Sequence, residues 1–293
     1  VAPALRRHPL AAFFVLAYTG SWVAWSPWVL SQSGVGVLPY ELPSAVIAGI
    51  KQLGFLAGPL AAAYVMTCVD EGRDGIRRFW ASLLRWRVHP LWYILALLVV
   101  PVAMRIGYLL DAETRSALGV INPTVIGVLA GTFLISLLGG PVQEEPGWRG
   151  FALPRLQQRQ HPMGAALVLG VIHCLWHAPL WLTDEWATAR QDPSQYLAYL
   201  VLVVSMSFVM SWLANGTRGS MLLVILAHTG INWSITLTGG DTVRLWPAAI
   251  GLLALALVAI FVTHGRLRYA PHRLAAAGGA APLRPGRDMH PFR

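Results

Sequence analysis

The amino-acid sequence predicts an all-α membrane protein, a bundle of about eight transmembrane helices with its polar chemistry inside the bundle. Three observations predict it. The 293-residue chain is 56% hydrophobic and only 12% charged, whereas a soluble domain devotes about a quarter of its residues to charge. The charges fall in gaps between apolar stretches. Each stretch is close to the ~20 helical residues that a bilayer core requires.

Taken in order, the expected spans are 10–30, 44–69, 91–110, 124–145, 163–182, 195–214, 220–238 and 245–264. The first follows Arg6 and Arg7 with no small-x-small cleavage site after it, so it reads as a membrane span and not as a removable signal. Between the second and third spans, Ile76, Phe79, Trp80, Leu83 and Leu84 recur at helical spacing among arginines. Segment 75–88 is therefore expected to lie as a helix on the membrane surface, a solvated loop being the alternative. Residues 1–264 form the membrane domain, and the stretch from Gly265 to Arg293, rich in Arg, Pro, Gly and Ala, is expected to be a disordered basic tail. Cys68 and Cys174 lie inside apolar runs without a CxxC motif and read as buried apolar residues.

The formal net charge is +9, yet its distribution argues against a nucleic-acid partner. With eight spans, one side of the membrane receives Arg6, Arg7, the arginines of 73–87, Arg149, Arg155, Arg159, Arg218 and those of the tail. The other side receives only Arg115, Arg190 and Arg244. Arginine-rich short loops face the cytoplasm. The expectation is a multi-pass protein of the plasma membrane with both termini cytoplasmic.

Ionisable side chains at mid-membrane cost roughly 2.5–3.5 kcal/mol on insertion scales, so each calls for an explanation. Three clusters stand out. The fourth span ends in Gln143-Glu144-Glu145-Pro146-Gly147-Trp148-Arg149, the fifth carries His173 and His177, and the seventh carries His228 and Asn232. Glu145 and Arg149 are spaced i,i+4 in the favourable order for an ion pair. Glu144 points about 100° away and lacks that partner. A carboxylate in a dry site can act as a general base or acid. Pro146 is expected to kink this helix. His173 with His177, and His228 with Asn232, each share one helix face. A pair of histidines at that spacing can hold a metal ion. The alternatives are a polar helix end at the surface for the glutamates and interhelical hydrogen bonding for the histidines. Lys51 and Arg105 belong to no motif.

These motifs resemble those of the CPBP (or ABI) membrane proteases, which include the type II CAAX prenyl endopeptidases and bacteriocin-processing or bacteriocin-immunity proteins. That family carries EExxxR, FxxxH and HxxxN on successive membrane helices. Glu144-Glu145-Pro146-Gly147-Trp148-Arg149 matches the first, His177 the second, and His228 with Asn232 the third, over about 124–238. His173 stands where the family has Phe. The resemblance implies an endopeptidase acting on a membrane-associated CAAX-like or precursor peptide. Glu144 and His177 would activate water, and His228 and Asn232 would stabilise the oxyanion, with Glu145, Arg149 and His173 in support. No cofactor is required in this reading. The rival reading makes Glu144, His177 and His228 zinc ligands. The non-enzymatic alternatives are a scaffold or immunity protein and a proton- or ion-coupled transporter, although no repeated halves are visible. The HExxH, GxSxG and GxGD signatures of other intramembrane proteases are absent.

One geometric difficulty accompanies this reading. If the fourth span ends near Glu145, Glu144 lies at the cytoplasmic end. His228 would lie about 12–15 Å and His177 about 21 Å along their helices, at 1.5 Å per residue.

Overall fold

Prolines and glycines set the architecture by interrupting otherwise uniform apolar helices. In the computed structural model, which describes residues 2–115, 126–238 and 244–270, the described elements are all helical. Among the described residues three π-helical stretches occur, Leu56–Leu60, Leu95–Val99 and Pro146–Ala152, and a proline lies in or within two residues of each: Pro59, Pro101 and Pro146. Proline removes one N–H and its ring crowds the carbonyl one turn back, and a widened turn accommodates both. The Leu56–Leu60 stretch packs against the Pro9–Val29 helix and against both Pro141–Glu145 and Pro146–Ala152.

Among the described residues each expected span falls mainly on helix, the fourth on two separate helices. Ser44–Leu83, Pro90–Leu110 and Ser194–Gly216 are long and apolar enough to cross a membrane. Pro162–Trp176, Met221–Thr236 and Trp246–Val262 are apolar but shorter. The second helix bends at Gly58, and Gly72 (φ 63°) turns it into the segment that runs to Leu83. The expected surface helix is thus helical as far as Leu83. Phe79 is turned inward, with Trp80, Leu84 and Trp86 exposed.

The fourth span corrects the sequence expectation. The Ile126–Leu138 helix stops at Gly139–Gly140, and a new helix starts at Pro141 and runs through Glu145, Pro146–Ala152 and Leu153–Gln157. The break is at Gly140, whose φ of 134° suits a residue without a β-carbon. It is not at Pro146, which is absorbed in a π turn. Glu144 and Glu145 therefore begin a helix inside the bundle and do not end one at its surface.

Charged contacts gather the arginines at one end. Arg6 donates to the Val69 carbonyl (2.6 Å), Arg155 bridges Asp70 and Glu71 (2.7 Å each), and Arg85 donates to the Arg218 carbonyl (2.7 Å). At the other end Lys51, unassigned from sequence, pairs with Glu185 (2.6 Å). Residues 265–270, expected to belong to the tail, are described and packed on the bundle. Leu267 is fully buried, and its carbonyl accepts from Asn215 (2.9 Å). Residues 271–293 lie outside the described residues.

Candidate functional site

The Pro141 helix brings its first turn against the Met221–Thr236 helix. Glu144, Glu145, Arg149, His173 and His228 are all buried there, and His177 is half-buried. The ion pair expected from the i,i+4 spacing is present, with Arg149 Nη1 donating to Glu145 Oε1 at 2.9 Å and both side chains fully inaccessible. His228 Nδ1 lies 2.6 Å from the same oxygen. A carboxylate oxygen only accepts, so His228 Nδ1–H donates a hydrogen bond to Glu145 and Nε2 is turned away from it.

His173 sits between the two glutamates. Its Nε2 is 2.7 Å from Glu144 Oε2, and its Nδ1 is 3.3 Å from Arg149 Nη1. Guanidinium only donates, so Nδ1 must hold a lone pair and Nε2 must carry the hydrogen donated to Glu144. Arg149 thereby sets the tautomer of His173, and His173 orients Glu144. The role expected from sequence was only supporting, yet among the described residues this ring bridges the Arg149 guanidinium and the Glu144 carboxylate by side-chain hydrogen bonds.

His177 is placed by the end of its own helix. Ahead of Pro179 the helix tightens, and the His177 amide bonds to the Cys174 carbonyl instead of that of His173. The His177 ring fills the freed acceptor, with Nδ1 donating to the His173 carbonyl at 3.1 Å. That leaves Nε2 of His177 with its lone pair available. The walls are aromatic: Trp148 stacks near His173 (5.0 Å between centroids), and Trp176 (4.5 Å) and Tyr199 (5.6 Å) flank His177. Such walls exclude water and strengthen electrostatic interactions within.

The depth difficulty disappears with the fourth helix redrawn. Glu144 lies thirteen residues from the Gln157 end, about 20 Å at 1.5 Å per residue. That matches the depth of His177 measured from Pro162.

Ligand atoms of Glu144, His173 and His177 lie within 4.8 Å of one another. The trio that gathers thus contains His173 in place of the His228 named in the zinc reading. With the hydrogen bonds above, neither ring nitrogen of His173 has a lone pair free, and the Arg149 cation abuts the ring. In this arrangement His173 fits a hydrogen-bond relay and not a zinc ligand. Asn232 is half-buried one turn beyond His228, and its amide has no hydrogen-bond partner among the described residues. Glu145 Oε2 and Arg149 Nε and Nη2 are also buried without partners. Orphaned polar atoms beside a buried ion pair are costly, so stability alone is a poor account of the pair.

Fold and site together define a polytopic helical membrane protein whose ionisable residues converge in one buried Glu–His–Arg cluster. Residues 126–234 match the family described as type II CAAX prenyl endopeptidase Rce1-like. A curated relative named CAAX prenyl protease 2, from Methanococcus maripaludis, is 28% identical over 130 residues, covering 43% of this chain and 48% of the relative. The chain spans about half the length of that relative. The family resemblance carried by the three motifs therefore holds over this segment, which contains every residue of the cluster.

Proposed function

We propose that this protein is an intramembrane endopeptidase that hydrolyses a peptide bond of a membrane-associated substrate. The observation that carries the reading is the buried Glu144 carboxylate, oriented by His173 and within 4.8 Å of a His177 ring nitrogen. Water held between Glu144 and His177 gives a proton to Glu144 as its oxygen adds to the scissile carbonyl carbon. The oxyanion is received by His228, through Nε2 when that ring is doubly protonated, and by the Asn232 amide. Glu144 then returns the proton to the leaving nitrogen as the C–N bond breaks, so two peptides leave and the site is restored. Every proton in this cycle is carried by the chain's own residues, and no metal takes part.

The arginine-rich end is read as cytoplasmic, in the plasma membrane, with both termini on that side. The substrate class is a CAAX-like or precursor peptide that reaches the site from that leaflet. The test is cleavage of a membrane-anchored peptide by purified, reconstituted protein. Wild type should cleave, and E144Q should lose all but background activity. Equal cleavage by E144Q would remove Glu144 from the chemistry. A wild type inert toward every peptide presented, yet moving protons or ions, would point to the transporter alternative.

A further inference from the structure

A second recessed surface lies away from the glutamate–histidine cluster and shares no residue with it. It is a groove of about 1160 Å³ between the Pro90–Leu110 region, the Ser194–Gly216 helix and the Trp246–Val262 helix. Its floor is apolar, with Leu95, Val99, Leu255 and Val258 running along the helices. Its mouth lies at the arginine-rich end and holds Arg218, Arg266 and Arg268, all exposed. None of the lining residues is acidic.

We propose that this groove holds one anionic phospholipid, with its headgroup phosphate among the three arginines and an acyl chain along the apolar floor. An apolar channel on a membrane helix bundle suits a hydrocarbon chain. A cationic mouth at the membrane surface selects for negative headgroups. The backbone supports the same assignment. Arg218 (φ 56°) and Arg268 (φ 58°) are two of the four non-glycine residues with positive φ among those described. That conformation is costly and clusters at ligand clamps. Arg268 also lies over the Trp92 ring at 5.4 Å from its centroid, inside the about 6 Å reach of a cation–π contact. The contact fixes one arginine at the mouth. The chain that follows Ala270 is a poor rival occupant, because Arg273, Arg284, Arg287 and Arg293 outnumber its single acid, Asp288, and would meet like charge.

Native mass spectrometry of the purified full-length chain, re-equilibrated with phosphatidylglycerol or phosphatidylcholine, tests the proposal. Wild type should retain one phosphatidylglycerol and little phosphatidylcholine. Each arginine near an anionic surface is worth roughly a fivefold change in affinity. R218Q/R268Q should therefore bind phosphatidylglycerol about thirtyfold more weakly. V258W, which fills the floor without touching charge, should also reduce retention while the protein stays monodisperse. Equal retention of both lipids, or retention unchanged in both variants, would overturn the proposal. So would a photo-crosslinker at Val262 that captures residues 271–293 instead of lipid.

Discussion

Replacing Arg149 by Met probes both the stability and the organisation of the cluster. The guanidinium and the Glu145 carboxylate are each fully inaccessible and 2.9 Å apart. Removing the cation leaves a buried carboxylate with His228 as its remaining donor, and uncompensated buried charges cost about 3–5 kcal/mol. On the usual scale for chains of this size, that lowers the unfolding temperature on the order of 10 °C. Cys174 is buried beside His173, whereas Cys68, expected from sequence to be buried, is exposed; in a C68A background a thiol-reactive dye in detergent therefore reports the transition directly. The double variant E145Q/R149M removes both charges and should recover most of the lost stability, since the penalty belongs to the unpaired ion. It should not recover peptide cleavage, because the donor that sets the His173 tautomer is still missing. An R149M protein as stable as wild type, or a double variant as unstable as the single one, would refute the reasoning.

Four further outcomes are expected. H173F removes the donor that orients Glu144 and should lower the cleavage rate tenfold or more, on the scale of one hydrogen bond to a charged group of about 1.5–3 kcal/mol; H173Q, whose amide can both donate and accept, should restore part of it with an unchanged unfolding temperature. At Gly140 a β-carbon would collide with Glu144 Oε1 at a φ of 134°, so G140A should cost about 1–3 kcal/mol and reduce cleavage further than stability, which thermal unfolding and rate measurements on one preparation will separate. Chelated, metal-free protein should retain full activity; loss on chelation with recovery at one zinc per chain would replace the proposed mechanism with the zinc reading. Cysteines introduced near Glu144 should react with an impermeant reagent only from the arginine-rich side, and labelling from the opposite face would reverse the orientation.

Local sequence chemistry determined much of this protein. Apolar run lengths placed helix at every expected span, because a lipid-facing helix must be apolar over its whole length. The i,i+4 spacing of Glu145 and Arg149 was enough for an ion pair, because one helical turn sets that distance. Arg6, Arg85 and Arg155 make their contacts near one another as their loop positions implied, whereas Arg149, expected in a loop on that side, is buried inside the bundle. Tertiary structure alone decided the rest. Whether Pro146 or Gly140 breaks the fourth helix depends on what packs there. Gly147 approaches the Pro59 carbonyl so closely that a β-carbon would sit 2.6 Å from it, a constraint between segments far apart in sequence. His173 carried a signal, its spacing from His177 and its departure from Phe, but its partners Glu144 and Arg149 lie on another helix. A helix periodicity specifies which residues share a face. Which faces meet, at what depth, and therefore which nitrogen of His173 carries the proton, follow only from how the helices pack.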